Sequence, residues 1–423
     1  MALLKLLFIL LVIIIALNKK IKAGNIFIFA AILLGFIFNL SVKDLFLALI
    51  NSATAHHTIS LTLLVFMLLV LSESMFEFGN LERMLGYAKR SIKNFRLRLI
   101  IFPALIGLLP MPGGAIFSAP MVKELTKDCD YTPRQLSYIN YWFRHIWEYW
   151  WPLYPGILLM LSITGISMNN FVLVAFPLSF FALLFGFIYF PATSENEKMK
   201  IVDEKKDKVF LLFLKELTPI LIAIIGGFSL GAIFAALFPK FIVAREMGLG
   251  IAILSASIFI WLTAKKDINK VRKCIFSKHC IKMAYTAFGI MIFKGLLDES
   301  QAVHAVVQDL LYYNIPLLGV CMILPFISGV ITGISIGYVG TSFPILIGLL
   351  RAVVPESEIL PYIVLCVVFG FVGTLVSPLH ICLIMSNEFF NAKQSAVFRY
   401  LYLPCFGMLC VGFCYFLILR MFY

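Results

Sequence analysis

The stretch Leu109-Pro110-Met111-Pro112-Gly113-Gly114-Ala115 cannot continue a helix. Its two prolines remove backbone donors and its two glycines permit a tight reversal. Yet it lies inside a long apolar run, residues 97–124. Irregular backbone at membrane depth is tolerated only where protein or a water-filled cavity satisfies its N–H and C=O groups. The run therefore reads as helix, break, helix, a re-entrant hairpin with its tip within the bilayer, with simple helix packing as the alternative. A second broken stretch, residues 315–350, carries Gly329, Gly333, Gly337 and Gly340 interleaved with Thr332, Ser335, Thr341 and Ser342. Gly329, Gly333 and Gly337 also fit small-x-x-x-small helix packing. Both readings stay open there, the hairpin reading placing its tip near Gly340-Thr341-Ser342.

The membrane setting follows from composition. Of 423 residues, 61% are hydrophobic and 13% charged, and mean hydropathy is +0.98. Soluble domains are about 45–50% apolar and about 25% charged, so this chain lacks the polar residues to cover a soluble surface. A net charge of +13 would suit nucleic acid in a soluble protein. Here it concentrates in short runs between apolar stretches, Lys19 to Lys22, Arg83 to Arg98 and Lys265 to Lys278, as cytoplasmic loops do. No nucleic-acid partner is expected; the lipid bilayer is. Nine cysteines without a C-x-x-C pair read as small buried apolar residues. The apolar run at the N-terminus has its lysines after it, not before, and reads as a retained first span.

Spans are expected near 2–17, 25–40, 58–76, 153–167 (continuing a helix from about 134), 169–190, 217–238, 246–264, 280–297, 361–378 and 398–420. The hydrophilic segment Ser194 to Lys208 divides them into near-equal halves that look like a repeat. Pro103-x-x-x-Gly107 matches Pro325-x-x-x-Gly329 at an offset of 222, and His57 matches His279 at the same offset. Ser118-Ala119-Pro120 matches Ser342-Phe343-Pro344 at 224, while Glu73-Ser74 and Pro152-Leu153 recur as Glu299-Ser300 and Pro378-Leu379 at 226. Placing the basic loops inside gives each half an odd number of crossings, which inverts one half against the other. The expected fold is an all-α polytopic membrane protein of two inverted repeats of five transmembrane helices, each with one re-entrant hairpin. The first repeat is 1–191, a cytoplasmic linker 192–214 and the second repeat 215–423, with both termini outside.

Each hairpin precedes a helix with its own interruption, Trp150-Trp151-Pro152-Leu153-Tyr154-Pro155-Gly156 and Gly373-Thr374-Leu375-Val376-Ser377-Pro378. Paired breaks near the midplane are the pattern of a secondary-transporter site, where half-helix N-termini face an anion and freed carbonyls can hold a cation. The candidate solute-binding residues are accordingly Pro112, Gly113, Gly114, Ser118, Arg144, Thr332, Ser335, Gly340, Thr341, Ser342, Thr374 and Ser377. A charge inside a span costs about 2.5–3.5 kcal/mol on insertion scales, so one that persists is a functional candidate. Arg144, His145 and Glu148 have helical i,i+4 and i,i+3 spacing. Arg144 would bind an anion, and His145 with Glu148 would exchange a proton; His380, past the Pro378 break, is a second proton-coupling candidate. The alternative sets the same charges at the headgroups within an aromatic belt of Tyr138, Tyr141, Trp142, Trp147, Tyr149, Trp150 and Trp151. His145-x-x-Glu148 has the spacing of a metal-ligand pair, but no second pair and no H-E-x-x-H accompany it. No metal and no cofactor are expected. Glu73 and Glu299 read as boundary residues, and Lys282 and Lys294 as snorkelling side chains.

Leu108 to Met121 (LLPMPGGAIFSAPM) and Asn140 to Tyr149 (NYWFRHIWEY) resemble signature stretches of an uncharacterised prokaryotic family of integral membrane proteins. That family is similar to members of the ion transporter superfamily, which also holds gluconate, citrate and dicarboxylate permeases. The resemblance implies inverted five-span repeats with re-entrant hairpins, a scaffold that forms a homodimer, an elevator-like transport region and a place in a prokaryotic cell membrane. The dicarboxylate branch carries Ser-Asn-Thr motifs at its hairpin tips and following breaks. This chain has Pro112-Gly113-Gly114 at one tip and Gly340-Thr341-Ser342 near the other.

The expected function is secondary active transport of a small anionic organic solute, coupled to protons or sodium, and no enzymatic activity. The alternatives are a channel or lipid transporter, and an intramembrane enzyme using His145 and Glu148 as an acid–base pair. No P-loop is present for direct ATP drive.

Overall fold

The structure, a computed structural model, describes residues 2–19, 21–92, 94–111, 113–127, 129–190, 206–241, 243–263, 267–313 and 315–423. Those residues are helical, without strands. The first half contributes α1 (Ala2–Asn18), α2 (Ala23–Ile37), α3 (Val42–Thr54), α4 (His56–Glu77), α5 (Asn80–Ser91), α6 (Phe95–Gly107), α7 (Ala115–Leu125), α8 (Pro133–Arg144), α9 (Pro155–Thr164), α10 (Met168–Ala175) and α11 (Pro177–Gly186). The second half contributes α12 (Lys206–Leu237), α13 (Ala244–Thr263), α14 (Ile268–Ile275), α15 (Lys278–Glu299), α16 (Ala302–Tyr312), α17 (Leu317–Thr332), α18 (Ser335–Val353), α19 (Ile359–Leu375), α20 (Ile381–Phe390) and α21 (Gln394–Leu419). Of the polar segment between the halves, residues 191–205 lie outside the described ones, and 206–214 form the first turns of α12. Among the described residues, eight helical segments are long and apolar enough to cross a membrane. The protein is a multi-pass membrane protein.

The interrupted segments are as informative as the continuous ones. At 1.5 Å per residue, α6 is about 20 Å long, α7 about 17 Å, and α9 and α20 about 15 Å each. None spans the roughly 30 Å hydrocarbon core alone. The first broken stretch is helix, break, helix: α6 ends at Gly107, Gly113 turns with φ +69°, and α7 starts at Ala115. The second is also broken, but at a different place. Gly333 adopts φ +63° as the cap of α17, Ile334 is extended, and α18 begins at Ser335. Gly340, Thr341 and Ser342, expected near the tip, lie instead inside α18, where the Thr341 hydroxyl donates to Gly337 O (2.8 Å) and that of Ser342 to Tyr338 O (2.6 Å). A single αL glycine is enough to reverse the chain, whereas three consecutive residues with satisfied helical backbone are not. Gly329 serves packing: a Cβ there would meet Thr374 N at 2.7 Å and Gly373 C at 3.0 Å on α19. The four-glycine stretch therefore combines a break at Gly333 with a close helix contact at Gly329.

The expected helix from about 134 through 167 is interrupted as well. α8 opens with a capping box, Thr132 with Gln135, and Pro133 at its first turn, where proline's missing N–H costs nothing. It ends at Arg144, and residues 145–154 run as turns before α9. The freed carbonyls at the end of α6 are met by aromatic donors from those turns. Trp147 Nε1 donates to Ala104 O (2.8 Å), Trp151 Nε1 to Leu108 O (3.0 Å) and the Tyr154 hydroxyl to Gly107 O (2.6 Å). Orphan carbonyls at a helix end must find such partners where no water is available. The Trp and Tyr cluster thus stitches one break to the neighbouring one.

Ion pairs lie toward both ends of α4. At one end Lys273 pairs with Glu77 (2.6 Å), and Arg83 pairs with Glu216 (2.9 Å), which Asn80 also reaches. Two of the basic runs contribute to this end, through Arg83 and Lys273. At the opposite end of α4, His57 faces Glu246 at 3.9 Å.

Candidate functional site

Arg144, His145, Glu148 and His380 meet in the protein interior. Their exposures are 2%, 2%, 6% and 6%, and Tyr138, Tyr141, Trp142 and Tyr149 around them are buried too. These side chains are enclosed by the protein itself. Arg144 closes α8, His145 and Glu148 follow on the turns after it, and His380 joins them from the second break as the cap residue of α20.

Hydrogen bonding fixes the protonation pattern of His145. A guanidinium can only donate and a carbonyl can only accept. Arg144 Nη1 lies 3.3 Å from His145 Nε2, and Tyr141 O lies 2.6 Å from His145 Nδ1. His145 Nδ1 therefore carries the proton, and its Nε2 lone pair accepts from Arg144. His380 Nε2, 3.1 Å from the same lone pair, donates to it. Its own Nδ1 is buried without a hydrogen-bond partner, as is Arg144 Nε. Arg144 Nη2 donates to Met111 O (2.6 Å), tying the guanidinium to the first hairpin tip. Glu148 lies 3.8 Å from Arg144 and 3.7 Å from His145, and accepts from the Ser335 hydroxyl (2.9 Å) at the second tip. Each buried charge thus has an opposite charge close by, the condition under which charge persists in an interior.

Both tips press against both broken helices. A Cβ on Gly114 would come within 2.6 Å of Arg144 Nη2. One on Gly113 would strike Met385 on α20. One on Gly333 would meet Ser377 Oγ at 2.9 Å and His380 N at 3.1 Å, and one on Gly156 would meet Ser335 Cβ at 2.8 Å. A cavity of about 100 Å³ opens here, its wall including Met111, Arg144, Glu148, Ser335, His380 and Cys382. It shares Leu69, Pro110, Met111 and His279 with a neighbouring cavity of about 230 Å³ that reaches Ser72 and Glu73 toward the Lys273 end of α4.

The sequence-derived candidates divide accordingly. Gly113, Gly114, Arg144, His145, Glu148, Ser335 and His380 come together. Pro112 lies outside the described residues. Ser118 sits one turn into α7, donating to Asn140 Oδ1 (2.6 Å) in a buried polar network with Ser137, Ser386 and Asn387. Thr332 donates to Ser328 O and Thr374 to Gly370 O within their own helices. Ser377 donates to Val330 O (2.6 Å), fastening the second break to α17. Gly340, Thr341 and Ser342 are remote from the tip, as described. Cys382 was not singled out from sequence. It belongs to the cluster, and the signal for it was its place two residues after His380.

No curated protein matches the chain. A family model for proteins of unknown function, DUF401, matches residues 1–419. Spanning nearly the whole length, from the first helix to the end of α21, that match makes the chain a member of the DUF401 family.

Proposed function

We propose that the protein is a secondary active transporter that moves a small anionic organic solute by alternating access, coupled to protons or sodium. The observation that carries this reading is the meeting of two chain breaks, one from each half, at the 3.1 Å His145–His380 contact, with a buried guanidinium beside it. Discontinuous helices converging on a buried polar site are the architecture of secondary transporters. Arg144 is the anion ligand: it is always charged, and its Nε is unspent. The N-terminus of α18 at Ser335 adds a positive dipole end. His145, His380 and Glu148 supply groups that can gain or lose a proton in response to the solute.

The reading includes two inverted repeats. Element starts support it: α4, α5 and α6 recur as α15, α16 and α17 at an offset of 222, and α8, α9 and α10 recur as α19, α20 and α21 at 226. Packing is exchanged in the same way. α4 packs on α13 and α14 while α15 packs on α2 and α3; α5 packs on α12 while α16 packs on α1; α7 packs on α20 while α18 packs on α9. Such cross-packing accords with a pseudo-twofold relation between the two halves. Two re-entrant hairpins, membership of the ion transporter superfamily, an elevator-like movement, a homodimeric scaffold and a prokaryotic cell membrane complete the proposal. The half-helix lengths support the hairpins.

The test is reconstitution into liposomes with imposed proton or sodium gradients and a panel of labelled organic anions. Uptake of one class that collapses when the gradient is dissipated is the expected result. Uptake indifferent to every gradient, or conductance at channel rates, would exclude the reading.

A further inference from the structure

We propose that His145, His380 and Cys382 form a binding site for a soft d10 metal ion of the copper(I) class. The three side chains are buried, and one ring nitrogen of each histidine and the Cys382 sulfur all lie within 4.8 Å of one another. The two imidazole Nε2 atoms, 3.1 Å apart, have the separation of two ligands on one ion. At metal–nitrogen distances of about 2.0–2.1 Å they would subtend an angle of roughly 100°.

Ligand type and charge choose among metals. The thiolate is a soft donor and the two imidazoles borderline ones that suit copper, and the thioether residues Met111 and Met283 line the same cavity; such sets select copper(I) over hard cations. The carboxylate of Glu148 is engaged by Ser335 and Arg144. Arg144 counts as one positive charge, Glu148 and a Cys382 thiolate as one negative charge each. A monovalent ion brings the cluster to zero, whereas a divalent one leaves an uncompensated positive charge where burial penalises it.

Binding releases one proton, from the Cys382 thiol. The His380 proton moves from Nε2 to the partnerless Nδ1, and Arg144 gives up its hydrogen bond to His145. Both lone pairs then point at the ion. The ion would join the first half of the chain, through His145, to the second, through His380 and Cys382, and it would occupy the nitrogens assigned above to proton coupling. Its binding needs only these three side chains and is read on purified protein, independently of whether the protein transports anything.

The experiment is anaerobic titration of the purified full-length chain with copper(I) against a chromophoric copper(I) chelator, with zinc titrated in parallel. One equivalent of copper(I) is expected, held at least tenfold more tightly than zinc. Cys382→Ser and His380→Asn should weaken it at least tenfold, while Cys410→Ser and Cys414→Ser, whose thiols are exposed, should not. X-ray absorption on the copper-loaded wild type, which needs no variant, should show nitrogen and sulfur ligands together. Absence of stoichiometric binding, retention by Cys382→Ser, a sulfur-only shell or equal affinity for zinc would each overturn the proposal.

Discussion

His145 Nε2 and His380 Nε2 stand 3.1 Å apart although 235 positions separate them in sequence. His145 is the cap residue at the end of α8, and His380 the cap residue at the start of α20. A contact between two such places cannot arise from local sequence. It requires that both halves of the chain fold so that their breaks face one another, and it brings Arg144 and Glu148, both buried, to the same spot.

Gly114 is the first place to test that geometry. A side chain there collides with the Arg144 guanidinium at 2.6 Å, backed by the Met111 carbonyl. Gly114→Leu should abolish solute uptake while leaving the protein inserted and monodisperse. Uptake assays with parallel membrane-extraction yields check both halves of the statement. Full activity in Gly114→Leu would remove the first tip from the site.

Glu148 is the counter-charge to a fully buried arginine. Removing one member of a buried pair leaves the other uncompensated, at a cost of about 3–5 kcal/mol. Glu148→Met and Arg144→Met should therefore each lower thermal stability severely, and Arg144→Met/Glu148→Met should recover most of the loss. Thermal denaturation of the four proteins of this double-mutant cycle measures the coupling. Additive losses would mean that the two charges do not interact.

Thr341 and Ser342 are expected to be silent. Their hydroxyls return to carbonyls one turn back in α18, bonds worth about 0.5–1.5 kcal/mol net. Thr341→Val and Ser342→Ala should retain uptake within about twofold and lose no more than roughly 1–2 kcal/mol of stability. Kinetics of uptake and thermal melts decide it; a loss of solute affinity would return these residues to the binding site.

The contrast between these residues and Gly333 marks how far sequence carries. Prolines and glycines announced that both stretches are broken, because their backbone chemistry is local. Which glycine makes the break in the second stretch is a tertiary matter. Gly329, Gly333, Gly337 and Gly340 have the same side chain, and only packing against α19 and the second break distinguishes them. Arg144, His145, Glu148 and His380 were legible because charge in an apolar span is rare. Their convergence was not, since it depends on long-range folding. Cys382 was hidden for the opposite reason: a cysteine in an apolar helix looks like its many packing counterparts, and only its nearness to two imidazoles sets it apart. Ser118, Thr374 and Ser377 carry the right chemistry on the right elements but turn toward neighbouring backbone and amide groups.

The cavity beside the cluster runs along α4 toward Ser72 and Glu73, the end where Lys273 meets Glu77. In a background lacking exposed cysteines, Glu73→Cys, at a partly exposed position in the cavity wall, should react with a membrane-impermeant thiol reagent applied from the face bearing Lys273. Reagent applied from the face bearing His57 should leave it unmodified. Labelling of oriented vesicles gives the answer, and the reverse preference would mean that the cavity opens to the other side.

The most direct measurement is solute counterflow in proteoliposomes for three proteins: the wild type, Arg144→Gln and Arg420→Gln. Arg420 lies outside the cluster, beside Glu358. The wild type and Arg420→Gln should exchange internal for external labelled anion, and Arg144→Gln should lose exchange by at least tenfold while remaining inserted and monodisperse below its own lowered melting temperature. Exchange that survives intact in Arg144→Gln, or that is absent from the wild type for every anion offered, would contradict transport through the His145–His380 site.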